Sequence, residues 1–149
     1  MIEGFTPHIA LGSDHAGFKF KEAIKEMLVI EGYPIFDFGT FSEDSVDYPD
    51  FVHPVATAVE KQEAHLGILI CGSGQGVTMT ANKYQKVRAA LCWKVNLAEL
   101  ARQHNNANVL CIPGRFVSKK MALNMIEKFF ETEFEGGRHE RRVNKIACC

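Results

Sequence analysis

The segment Leu66-Gly67-Ile68-Leu69-Ile70-Cys71 is an unbroken apolar run that ends abruptly in Gly72-Ser73-Gly74-Gln75-Gly76. A strand that is apolar at every position has no face to give to water. It belongs in the middle of a parallel sheet covered on both sides. That demand shapes the rest of the chain, because parallel neighbours need crossover connections, usually helices. Short apolar runs at 8–12, 34–38, 87–91 and 108–112 supply the other strands. Between them apolar residues recur at helical spacing. Residues 18–30 place Phe20, Ile24, Met27 and Leu28 on one side, and Gly32 follows where a left-handed cap suits glycine. Pro49 stands near the start of a second helix carrying Val52, Val55, Ala56 and Val59. Residues 77–83 and 96–104 read as the third and fourth helices, the latter with Leu97, Leu100 and Ala101 inward. Ser118 can cap a fifth that ends near Phe130 or Phe134. The expected fold is α/β: a three-layer α/β/α sandwich with a five-stranded, mostly parallel sheet.

The 149 residues make one domain, 1–149, and an apolar share of 46 % is enough to fill its core. A formal net charge of -1 provides no bulk positive field, which argues against nucleic acid as a partner. No run approaches the length of a membrane span, and the N-terminus lacks a signal pattern, so no membrane partner and a cytoplasmic location are expected. Cys71, Cys92, Cys111, Cys148 and Cys149 fit neither a zinc-knuckle nor a disulfide spacing. Cys92 and Cys111 sit in or beside apolar strands and read as core. Cys148 and Cys149 receive no role.

Ligands of parallel α/β domains bind at the carboxyl ends of the strands. Four groups of residues bear on that edge or on its chemistry. Gly12-Ser13-Asp14-His15-Ala16-Gly17 follows the first strand, where Asp14 and His15 can meet an anion or sugar hydroxyl, or merely cap the helix. The Cys71–Gly76 turn can expose successive N–H groups to a phosphate or an enolate oxygen. The same field can favour a thiolate on Cys71. It is not a nucleotide loop, since the Gly-Lys-Ser/Thr ending is missing, and no acidic residue stands where a dinucleotide fingerprint needs one. His104 can move protons near neutral pH and Asn105 can donate to an oxyanion, although both could simply end a helix. Arg115 follows the fifth strand, and Arg138 and Arg142 face one way if their stretch is helical, so these guanidiniums suit phosphate. Trp93 is either core or a wall of the site. No residue set has metal-ligand spacing, and enediol chemistry requires neither metal nor cofactor.

With these motifs in order, the chain resembles the type B ribose 5-phosphate isomerase family, which also holds the galactose 6-phosphate isomerase subunits. The likeness runs from Gly12-Ser13-Asp14-His15 through Asp47-Tyr48-Pro49, the Gly67–Gly74 segment and Ala81-Asn82-Lys83. It continues through Arg102-Gln103-His104-Asn105, Asn108-Val109-Leu110 and Gly114-Arg115 to Glu135-Gly136-Gly137-Arg138-His139. It implies a Rossmann-like fold and a homodimer, in some members paired into a tetramer. A C-terminal arm from about residue 131 would pack at the subunit interface, and a small phosphorylated sugar would be the ligand. By position, Cys71 would be the base that moves a proton between C1 and C2 through a cis-enediolate. Gly72, Gly74, Gly76 and Asn105 would hold the oxyanion. His104 of the neighbouring subunit would open the ring with Ser73 and Asp47 or Asp14. Tyr48 would line the sugar site, and His15, Arg115, Arg138 and Arg142 would gather the phosphate.

Some members use a glutamate in the glycine loop instead, but Gln75 here cannot abstract a proton. Ser73 stands where threonine is usual, and Trp93-Lys94 replaces smaller and acidic residues beside the sugar pocket. The implied reaction is the interconversion of D-ribose 5-phosphate and D-ribulose 5-phosphate. Allose 6-phosphate or galactose 6-phosphate isomerisation and a nonenzymatic sugar-phosphate sensor are the alternatives.

Overall fold

The computed structural model describes residues 4–148, so Cys149 lies outside them. In chain order come β1 (Ile9–Ser13), a short 3-10 turn (His15–Gly17), α1 (Phe18–Ile30), β2 (Ile35–Asp37), α2 (Tyr48–Glu60) and β3 (Leu66–Cys71). They are followed by α3 (Gln75–Ala81), β4 (Ala89–Leu91), α4 (Val95–Asn105), β5 (Val109–Pro113), α5 (Lys119–Glu131) and α6 (Arg138–Val143).

The strands lie in the order β2-β1-β3-β5-β4. The sheet is wholly parallel, a stricter result than the mostly parallel expectation. Every connection crosses over through a helix, so no hairpin can introduce an antiparallel pair. The apolar run takes the central place as β3, with two strands on either side.

Successive residues of a strand point to opposite faces, and the core divides accordingly. Ile9, Leu11, Ile68, Ile70, Leu110 and Ile112 meet Ile24 and Leu28 of α1 and Met125, Ile126 and Phe129 of α5. Ala10, Leu69, Cys71, Val109 and Cys111 meet Val52, Val55 and Ala56 of α2 and Val77 of α3.

Three expectations need correction. In α4 the inward residues are Ala98 and Ala101 with Leu97 half-buried, whereas Leu100 is 41 % exposed. Leu100 stands about 100° round the helix from Ala101, off the buried stripe. α5 stops at Glu131, short of Phe134, because Thr132 turns to extended backbone and returns its hydroxyl to the Lys128 carbonyl. α3 begins at Gln75, two residues before the expected start.

Candidate active site

Loops from both halves of the sheet converge at its carboxyl edge, and backbone hydrogen bonds staple them together. The Ser13 N–H donates to the Gly39 carbonyl at 2.8 Å, and the Thr40 N–H to Ser13 at 2.8 Å. On the other side of β3 the Gly114 N–H donates to Cys71 at 2.9 Å and the Arg115 N–H to Gly72 at 3.0 Å.

Cys71 ends β3 on the face covered by α2 and α3 and is 4 % exposed. Burial pushes the thiols of Cys92 and Cys111 up to about 12, so neither offers a thiolate at neutral pH. Both are core, as their apolar strands imply. Beyond Cys71, Gly74 has φ +73°, and a Cβ there would run into Leu91 and the Pro113 nitrogen. Only glycine fits that turn without strain. The Arg115 side chain folds over Gly72, the Tyr48 ring lies on Gly76, and Ser73 Oγ accepts from the Gln75 N–H at 3.3 Å.

Asp14 does act as a cap: its Oδ1 accepts from the Gly17 N–H at 3.1 Å. His15 Nδ1 accepts from the Val46 N–H at 3.2 Å. That bond assigns the ring hydrogen to Nε2, which is therefore the donor available to an anion. Asp47 precedes α2 with no capping bond from its side chain. Trp93 is 49 % exposed and, with Ser73, Gln75, Leu91, Pro113 and Phe116, lines a groove of about 360 Å³. It is a wall of this edge, not core. Phe116 in that wall went unnoticed in the sequence, where it is a lone aromatic after a strand.

The remaining candidates lie elsewhere. Helix α4 starts at the carboxyl edge and runs back, so its 11 residues carry His104 and Asn105 about 16 Å away, to the amino edge. There Asn106 closes the helix at φ +47°, and Arg88 Nε donates to its carbonyl at 2.8 Å. Helix α6 lies against α4 and brings Arg138 and Arg142 to the same end. The His104 and His139 rings stack at 4.2 Å between centroids and 10° between planes. Glu135 Oε2 stands 3.5 Å from His139 Nε2 and 3.9 Å from His104 Nε2. Burial, then the neighbouring His104 and Arg138, hold the His139 imidazole below its ordinary value, with Glu135 opposing them. The four-residue spacing of Glu135 and His139 was the available sequence signal for this cluster.

One chain therefore gathers Asp14, His15, Asp47, Tyr48, Cys71, Gly72, Ser73, Gly74, Gly76 and Arg115 at one edge. It sets His104, Asn105, Arg138 and Arg142 at the other. A groove of about 700 Å³ between Val59 and Arg102 contains none of them.

A parallel α/β domain that presents a thiol, a glycine turn and a guanidinium at the carboxyl end of its central strand is of the class that binds small anions there. The chain belongs to the ribose/galactose isomerase family, whose model matches residues 9–146. It is 42 % identical over 138 residues to ribose-5-phosphate isomerase B of Escherichia coli, covering 93 % of both chains. The crystal structure of a ribose 5-phosphate isomerase from Thermotoga maritima superposes with a TM-score of 0.94 at 47 % identity, over 96 % of this chain and 99 % of that one. A ribose-5-phosphate isomerase B from Mycoplasma genitalium, solved with ribulose-5-phosphate bound, gives 0.90 at 45 % identity over 93 % of each.

Proposed function

We propose that this protein interconverts D-ribose 5-phosphate and D-ribulose 5-phosphate at a site completed by two copies of the chain. The observation that carries the reading is the near-full-length likeness to a protein solved with ribulose-5-phosphate. His104 of one copy takes the proton of the anomeric hydroxyl, and Ser73 with Asp47 or Asp14 of the other returns one to the ring oxygen. The C1–O bond of the ring breaks and the aldehyde forms. The Cys71 thiolate then takes the C2 proton. The electron pair moves into a C1–C2 double bond, and the former carbonyl oxygen becomes an enediolate oxyanion. Amides of the Gly72–Gly76 turn and Asn105 bind that oxygen. Transfer of the O2 proton to O1 moves the negative charge to O2, and return of the abstracted proton to C1, as the C2 carbonyl forms, gives the ketose. His15, Arg115, Arg138 and Arg142 hold the phosphate, remote from the reacting carbons, and so orient the substrate without entering the bond changes.

Two copies are needed because the edges carrying Cys71 and His104 are a helix length apart in one chain. The arm from about residue 131, with α6, is then the part of each copy that reaches its neighbour's site.

The test is a parallel assay on ribose 5-phosphate, allose 6-phosphate and galactose 6-phosphate. We expect pentose turnover, reduced by a factor of 10² or more, roughly, in Cys71→Ala. A hexose preference would keep the chemistry and replace the substrate. Near-parent turnover in Cys71→Ala would remove the cysteine from its role, and no turnover on any sugar would favour a sensor.

A further inference from the structure

We propose that His104, Glu135 and His139 form a binding site for a divalent transition-metal ion, zinc foremost, and that its occupancy inhibits the enzyme. Each residue offers one donor atom, and all three donors lie within 4.8 Å of one another. A tetrahedral zinc with bonds of about 2.0–2.1 Å sets its ligand atoms roughly 3.3 Å apart. The Glu135–His139 separation of 3.5 Å is already close to that spacing, and the Glu135–His104 separation of 3.9 Å needs a small closure.

The freedom to close lies in the right places. The His139 side chain is 11 % exposed and serves as the fixed ligand, whereas Glu135 and His104 are 50 % and 40 % exposed and can turn toward it. Only the stacked His104 ring has to tilt. Two imidazoles and a carboxylate suit zinc and its neighbours in the first transition row, and leave a coordination position open. Arg138 and Arg142 face the same cluster and oppose a dication. Binding is therefore weaker than at a dedicated structural zinc site and can reverse. A metal on His104 Nε2 occupies the lone pair that would accept the ring hydroxyl proton. The cation site stands on geometry alone, whereas the inhibition rests on the ring-opening role proposed above for His104.

The experiment uses the full chain with Cys148→Ser and Cys149→Ser, titrated with Co²⁺ as a spectroscopic probe and then with Zn²⁺ in the isomerase assay. One Co²⁺ per chain is expected, with visible bands and no near-ultraviolet thiolate charge transfer. Zn²⁺ should displace it and inhibit turnover. His139→Gln and Glu135→Gln, each checked for folding by circular dichroism, should raise the half-inhibiting Zn²⁺ concentration by more than about tenfold. Absence of Co²⁺ binding, an unchanged response in the folded variants, or a thiolate band abolished by Cys71→Ala would overturn the site and leave the isomerase reading intact. Stoichiometric binding at full turnover would overturn the inhibition, and with it the proton-transfer role of His104, while the cation site would stand.

Discussion

Lys21 is completely buried, yet nothing in its helix marks it out, since a lysine at that position reads as solvated surface. Its ammonium lies 2.9 and 2.8 Å from the two Asp37 oxygens and 2.7 Å from Glu22, between the rings of Phe18 and Phe41. Burial alone would raise the Asp37 pKa. Hydrogen bonds from Lys21, the Gly39 N–H and Lys25 outweigh it and hold the carboxyl below its ordinary 3.8. Through Gly39 the pair reaches the site, because the Gly39 carbonyl receives the Ser13 N–H. Lys21→Met should cost about 3 kcal/mol in urea unfolding at pH 7, the low end for losing one partner of a buried pair, since Lys25 still faces Asp37. A depressed carboxyl contributes stability above its unfolded value and loses it as pH falls through the folded one. The parent should therefore weaken on acidification below about pH 4 more steeply than Lys21→Met. Parallel acid slopes for the two proteins would count against this account. The pair was illegible because its partner is 16 residues away. Cys71 was legible because it closes the most apolar run in the chain.

Among the elements, legibility followed local chemistry. Ser118 caps α5 as its sequence suggests, accepting from the Met121 N–H at 3.0 Å, and Pro49 sits in the first turn of α2. The five strands were readable because each is short, apolar and followed by turn residues. The α5 boundary failed at Thr132, whose hydroxyl returns to the Lys128 carbonyl while its own carbonyl accepts from Arg102 Nε of α4 at 3.2 Å. The Gly72–Gly76 turn joins both kinds of information, since its spacing announced a tight turn but only the neighbouring Leu91 and Pro113 fix its shape. Gly74→Ala should cost about 1–2 kcal/mol from the left-handed backbone alone, with a further loss from the collision with Leu91. It should lower turnover by more than the fall in folded fraction accounts for, because the amides are re-aimed. Ser118→Ala should cost about 1 kcal/mol and leave turnover per folded molecule unchanged. Thermal melts paired with kinetics check both, and a Gly74→Ala protein with full turnover would show that the turn does not aim those amides.

At the scale of the whole molecule, the candidate residues split between two ends of a sheet that no single chain can bring together. At the carboxyl edge the Gly12–Gly17, Cys71–Gly76 and Gly114-Arg115 motifs were readable because each follows a strand, whereas Asp47 and Tyr48 entered only through the family resemblance. The amino-edge half looked like an ordinary polar helix end, and under the proposed function the relation that would give it meaning lies between two copies of the chain. A twofold pair of chains would offer two equivalent sites, each taking Cys71 from one copy and His104 from the other. Cys71→Ala and His104→Asn homodimers would then each contain two damaged sites. A mixed dimer would contain one site with both lesions and one with neither. Mixing the inactive proteins under conditions that allow subunit exchange should restore activity to about a quarter of the parent level, because about half of the dimers are mixed and half of their sites are intact. Recovery should grow with exchange time and vanish if the variants are crosslinked as homodimers beforehand. If both lesions acted within one chain's own site, mixing would restore nothing, and absence of recovery despite proven exchange would show that Cys71 and His104 do not meet across an interface between two copies.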